Sequence, residues 1–208
     1  MASPIVNAMS VDVEDYFQVS AFENRISRSD WHQHESRVRA NVERILDLFD
    51  QHRVKATFFT LGCLAEQYPE MVLDIVNQGH ELASHGWDHR RVTSLTPDEF
   101  RQDIARSKSL LEDISATAVK GYRAPSYSIG ESNLWALDVL ADEGYQYSSS
   151  IVPIKHDHYG MPGASRFSHR VAGGRLLEIP ITTTSLMNRN INCGGGGGFR
   201  LFPYAFSK

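Results

Sequence analysis

Apolar and polar positions along the 208-residue chain alternate between two periods. Residues 5–13 and 54–61 are short apolar runs, the second rich in β-branched and aromatic side chains, and both read as strands. Between them Val38, Val42, Ile45, Leu46 and Phe49 recur on one face of a 3.6-residue period, which predicts an amphipathic helix over 36–52. A second helix is expected over 69–77, ended near Gly79, and a short strand over 81–84. Thr96-Pro97-Asp98-Glu99 opens the best-marked helix. Thr96 can cap it, Pro97 fits its first turn, and Glu99 completes a capping box, with the helix running to about Ser115. A strand over 119–123, a helix over 132–143 and strands over 145–151 and 177–181 complete the reading, the last being the final clear strand. Residues 156–174 are polar and rich in His and Gly and read as a long loop. The glycine run at 194–198 has no Lys-Ser/Thr after it, so it reads as a flexible turn and not a phosphate loop.

Repeated strand-then-helix units predict parallel strands with covering helices. Asp12, Glu14, His85, Arg123 and Ser148 all fall at or just past the C-terminal ends of predicted strands. A parallel barrel places its site at that edge. A doubly wound open sheet does the same and stays the alternative.

Composition adds bounds. With 41% apolar and 22% charged residues the chain is expected to form one globular domain over 1–208. A formal charge of −4 gives no electrostatic case for nucleic acid or an anionic membrane. No apolar run approaches the length of a bilayer span, and the N-terminus lacks a basic segment followed by an apolar one, so a cytoplasmic location is expected. Cys63 and Cys193 lie far apart and read as unpaired thiols of a reducing compartment.

The candidate chemistry is concentrated in three stretches. Ser84-His85-Gly86-Trp87-Asp88-His89 sets two imidazoles four residues apart, a spacing that lets both converge on one borderline metal such as Zn²⁺. Strand alternation puts Asp12 and Glu14 on one face and Val13 on the other. Two carboxylates so close are eased by a cation, one binding it and the other acting as a base; an acidic turn capped by Asp15 is the plainer reading. Arg123-Ala124-Pro125-Ser126-Tyr127 follows a strand, and its arginine can hold a catalytic carboxylate by a bidentate contact. His156 and His158 can donate a proton or bind a second metal, and the commoner fate of such loop histidines is to stand exposed. Trp87 and Tyr127 can stack on a sugar ring, and core packing accounts for each equally well.

These motifs resemble those of the polysaccharide deacetylases, carbohydrate esterase family 4, over residues 6 to about 180. The resemblance implies a distorted, incomplete (β/α) barrel of the seven-stranded type. It implies a metal-dependent hydrolase that removes N-acetyl groups from the amino sugars of a polysaccharide. Ser10-Val11-Asp12-Val13-Glu14-Asp15 is similar to the first motif, with Asp12 as general base and Glu14 as metal ligand. The strict family form has adjacent Asp residues, which makes Asp15 a rival ligand. Ser84 to His89 is similar to the second motif, which makes His85 and His89 ligands of one divalent ion, expected to be Zn²⁺. Arg123-Ala124-Pro125 is similar to the third, with Arg123 positioning the base. Pro125, Ser126, Tyr127 and Trp87 are expected to border an N-acetylated glycan. Ser148 stands where many members carry Asp. The string His156-Asp157-His158-Tyr159-Gly160-Met161-Pro162 resembles a bacterial branch linked to exopolysaccharide loci. The family's late Leu-x-x-His is not matched by Leu177-Glu178-Ile179-Pro180, and a chain truncated at its C-terminus, short of a later His-Pro, is the expectation. Two other readings share these motifs: a deacetylase-like protein that binds glycan without cleaving it, and a metal-dependent hydrolase of another amide.

Overall fold

In the computed structural model, which describes residues 8–156, 159–186 and 189–194, strand β1 (Met9–Val13) is followed by helix α1 (Val38–His52) and strand β2 (Ala56–Thr60). Helices α2 (Gly62–Gln67) and α3 (Pro69–Asn77) then lead to β3 (Glu81–Ser84), α4 (Pro97–Ser115), β4 (Gly121–Tyr122), α5 (Trp135–Asp142) and β5 (Tyr147–Ser148). Four strands close the order: β6 (His169–Val171), β7 (Leu176–Glu178), β8 (Thr183–Leu186) and β9 (Arg189–Asn192). The main sheet runs β1-β2-β3-β4-β5-β7-β6. Its pairings from β1 through β5 to β7 are parallel, and β6 is an antiparallel edge on β7. β8 and β9 form a separate antiparallel hairpin.

One register row crosses the sheet: Val13, Thr60, Ser84, Tyr122, Ser148 and Glu178 are successive Cα partners. Glu14, His85, Arg123 and Ser149 each lie one residue beyond that row, so four strand ends deliver polar groups to one rim. The sheet is curled. In a flat sheet β1 and β4 would sit three spacings, about 14 Å, apart. Yet Arg123 Nη1 lies 2.6 Å from Asp12 Oδ1, and the rings of Phe59 on β2 and Tyr147 on β5 meet at 6.5 Å between centroids. Contact across the concave face selects a distorted, incomplete barrel over the doubly wound sheet. Among the described residues no pairing joins β6 back to β1.

Helix α1 buries Val38, Val42 and Leu46 against Val13 and Phe58. Helix α4 buries Phe100, Ile104 and Leu111 in a second core with Tyr122, Leu140 and Tyr145. The capping box of α4 is formed: Glu99 N–H donates to Thr96 Oγ1 (3.3 Å) and Thr96 N–H to Glu99 Oε2 (2.8 Å).

Several elements differ from the sequence reading. Helix α2 has six residues, starts directly after β2 and has no side-chain cap, so no helical period or start signal marks it. The strands expected over 119–123 and 145–151 form ladders of two residues each. The helix expected over 132–143 divides into a 3-10 turn (Glu131–Asn133) and α5. β6 lies inside the expected loop, and β8 and β9 follow the strand read as the last. Residues 5–7, Asp157, His158, 195–198 and 202–207, which entered the sequence reading, lie outside the described residues. No helix among the described residues is long and apolar enough to cross a membrane.

Candidate active site

The site is assembled from loops that leave the strand ends at once. Gly86 (φ 79°) directly follows His85, and a Cβ there would come within 2.9 Å of Asp103 Oδ2, so position 86 requires glycine. His89 itself adopts a left-handed backbone (φ 58°). Between these two left-handed residues the chain turns back and brings the imidazoles together, with ring centroids 5.4 Å apart. Arg28 holds the turn from outside, donating to the carbonyls of Asp88 (3.0 Å) and His89 (3.3 Å).

Glu14, His85 and His89 form a three-residue cluster in which one donor atom from each lies within 4.8 Å of the others. Glu14 Oε2 is 2.8 Å from His89 Nε2 and 3.8 Å from His85 Nε2. That oxygen is buried and makes no hydrogen bond of acceptable geometry. His85 Nδ1–H donates to the Arg123 carbonyl oxygen (2.8 Å), because a carbonyl can only accept; in the neutral ring Nε2 is then the lone-pair nitrogen, turned toward Glu14. Burial raises the Glu14 carboxyl, but His85 and His89 outweigh it and hold the group well below the usual carboxylate range. Burial lowers the His85 imidazole, and Glu14 and Asp12 outweigh that and raise it. Two imidazole nitrogens and a carboxylate with an otherwise orphaned buried oxygen are an open-site ligand set, and the residues fit a divalent ion.

Asp12 stands beside this cluster. Arg123, 6% exposed, reaches it through Nη1 alone. The expected bidentate contact is replaced by a division of donors. Nε donates to the Ser149 carbonyl (3.1 Å) and Nη2 to Ser149 Oγ (3.0 Å), while the Phe59 ring lies 4.0 Å from the guanidinium carbon. Sequence reasoning missed Ser149; the only signal was a Ser148-Ser149-Ser150 run just past a strand.

Asp15, the rival ligand, is turned away. Its Oδ1 accepts Arg37 N–H (2.8 Å) and its Oδ2 accepts the Ser36 hydroxyl (2.5 Å), at the start of α1. Trp87, expected to border the glycan, packs between two neighbours. The Arg106 guanidinium covers one ring face at 3.2 Å, and the benzo edge lies against Gly62, where a Cβ would fall 2.5 Å from Cε3.

Ser126 and Tyr127 both have positive φ (53° and 52°), a strained pair of the kind concentrated at functional sites. Pro125 is buried and Ser126 Oγ meets Ser20 Oγ. The Tyr127 phenol is pushed up to about 12 by burial and by Asp12, so it remains a hydrogen-bond donor at neutral pH. Tyr159 lies 5.8 Å from the Tyr127 ring, and His156 stacks on Tyr159 at 4.1 Å.

A family model described as "Polysaccharide deacetylase" matches residues 31–148, and one described as "Domain of unknown function (DUF3473)" matches residues 149–208. The first match contains His85, His89 and Arg123 and begins after Glu14. The chain is 30% identical over 145 residues to a peptidoglycan-N-acetylglucosamine deacetylase of Bacillus cereus, covering 64% of this chain and 52% of that protein. It is 36% identical over 155 residues to the peptidoglycan-N-acetylglucosamine deacetylase PgdA of Listeria monocytogenes, covering 70% and 33%. The chain thus spans about half the length of one relative and a third of the other. Among solved structures, one described as a polysaccharide deacetylase from Mycobacterium smegmatis aligns with a TM-score of 0.64 and 26% identity, over 87% of this chain and 63% of that one.

Proposed function

Because the chain belongs to the polysaccharide deacetylase family, we propose that it is a metal-dependent hydrolase removing N-acetyl groups from the amino sugars of a polysaccharide. The observation that carries the reading is the meeting of Glu14, His85 and His89 donor atoms within 4.8 Å, beside an Asp12 clamped by Arg123. Zn²⁺ is the proposed ion, in keeping with an N₂O donor set. The proposed polymer is the exopolysaccharide of a bacterial locus, a reading supported by the 156–162 string. Cys63 and Cys193 are both free, which supports a reducing compartment.

In this scheme Glu14, His85 and His89 hold the ion, which when bound supplies Lewis-acid polarisation and a lowered water pKa. Asp12 takes a proton from the attacking water, and the oxygen adds to the acetamide carbonyl carbon. Arg123 holds Asp12 in one rotamer, so the proton has one fixed acceptor. The Tyr127 phenol and the Pro125–Tyr127 turn border the acyl group, with donors available to the developing oxyanion. Collapse breaks the C–N bond as the amine takes up the proton held by Asp12, releasing acetate and the free amine.

The test is acetate release from an N-acetylglucosamine oligomer before and after chelation. Release should stop without metal and return with Zn²⁺. Asp12→Asn should cut turnover by about 10²–10⁴-fold while the ion still binds. Turnover indifferent to complete metal removal would refute the scheme, and loss of the ion in the Asn variant would exchange the roles of Asp12 and Glu14.

A second reading, glycan binding without cleavage, is favoured by the proton donor. Leu177-Glu178-Ile179-Pro180 places Pro180 where the family's late His is expected, and a proline side chain has no proton to give. Tight binding of the oligomer with no acetate released would establish it.

A further inference from the structure

Glu178 is fully buried and lies outside the proposed chemistry. Its Oε1 accepts the N–H groups of Ser150 (3.0 Å) and Ile151 (2.8 Å). Those bonds fix the backbone just after β5. Ser150 Oγ accepts Ala124 N–H (2.9 Å) and the Ser148 hydroxyl (2.9 Å), tying the same stretch to the residue after Arg123. Ser149, in the middle, offers its carbonyl and its hydroxyl to Arg123 Nε and Nη2. Only Nη1 is then left to reach Asp12.

A guanidinium held by one contact would swing about its long side chain. Held by two acceptors on one residue, its plane is set and the direction of Nη1 follows. The acceptors are themselves placed by the Glu178 carboxylate. Residues 149–208, matched by the model of unknown function, thus supply both Ser149 and the Glu178 that fixes its neighbours to an arginine in the segment matched by the deacetylase model. We propose that Ser149 and Glu178 are positioning residues for the general base, acting on Asp12 through Arg123, and that this is one contribution of residues 149–178 to the site. The inference rests on the role given to Asp12 above.

Two readouts separate it from that role: kinetics, and the solvent exchange of the Arg123 Nε–H proton in ¹⁵N-labelled protein, assigned by its loss in Arg123→Lys. Ser149→Ala removes one hydroxyl and should speed exchange and lower kcat by about tenfold, with KM and Zn²⁺ affinity unchanged. Glu178→Ala should do the same with a drop in kcat of about 10²-fold, the scale of an ångström-sized misplacement. Glu178→Gln keeps an acceptor oxygen and should restore both readouts. Unchanged exchange and kcat in Ser149→Ala would overturn the proposal, whether or not Glu178→Ala folds. A folded Glu178→Ala variant that alters only KM, or loses the ion, would overturn it equally. If the wild type releases no acetate but both variants speed exchange, the deacetylase reading falls and the positioning stands.

Discussion

Glu14 and Asp15 are neighbouring carboxylates with different work. Glu14 points into the imidazole pair with a buried oxygen that has no hydrogen bond. Asp15 is 2% exposed, and both its oxygens are taken at the start of α1, whose own N-cap residue, Arg37, provides no side-chain cap. Glu14→Gln should therefore abolish Zn²⁺ binding in a calorimetric titration. Asp15→Ala should leave affinity intact and cost about 1–2 kcal/mol in a urea melt, the value of a lost cap. A fall in affinity from the Asp15 variant would make it the ligand. The sequence carried part of this distinction. Strand alternation alone places Asp12 and Glu14 on one face, and the His-x-x-x-His spacing names both imidazoles. It could not show that residues 36 and 37 return to occupy Asp15, since that contact spans twenty-two positions. Nor could it show the fate of Trp87, because an indole between two metal-ligand candidates has the same composition facing inward or outward.

At the scale of the element, α4 was the most legible part of the chain and still held an unread function. Thr96, Pro97 and Glu99 announce its start, and the structure begins it at Pro97. Asp103, two turns in, gave no signal, because its partner is the backbone of a distant loop. Its Oδ2 accepts Trp87 N–H (3.0 Å) and lies close to Gly86, bracing the turn between the two imidazoles. Burial, with Asp88 nearby, pushes its carboxyl up from 3.8 to about 6. A raised carboxyl binds its proton more tightly in the folded chain than in the unfolded one. Its contribution to stability is therefore full below pH 3.8 and is lost as pH rises through about 6, a change on the order of 2–3 kcal/mol. Asp103→Asn keeps an oxygen for Trp87 and removes the titration. Urea melts from pH 4 to 8 should show the variant gaining on the wild type as pH rises, with the gain complete above about pH 7. Parallel curves across that range would mean that Asp103 does not titrate differently on folding.

For the whole molecule, the strand-and-helix pattern pointed to a barrel and kept an open doubly wound sheet as the alternative, because both collect polar groups at the C-terminal strand ends. What separates them is distance across the concave face, as between Asp12 and Arg123, which no local pattern encodes. The same curvature makes the candidate metal centre a clamp. Its donors come from the end of β1 and from the loop after β3, with β2 between them. Seventy-one positions separate Glu14 from His85 in the chain, so the unfolded polypeptide presents no such cluster. An ion that binds only the folded form raises stability by RT ln(1 + [L]/Kd), about 2.7 kcal/mol at a hundredfold excess over Kd. For a chain of this size that corresponds to a rise in Tm of roughly 5–10 °C. Thermal melts with chelator and then with Zn²⁺ should show that rise in the wild type and none in Glu14→Gln. Asp12→Asn should keep the full rise, because Asp12 faces Arg123 and not the ion. This measurement needs no substrate, so it tests the clamp even if no glycan is cleaved. A Tm indifferent to Zn²⁺ in the wild type would leave Glu14 and the two histidines as a carboxylate–imidazole cluster without an ion, and the hydrolytic scheme would lose its centre.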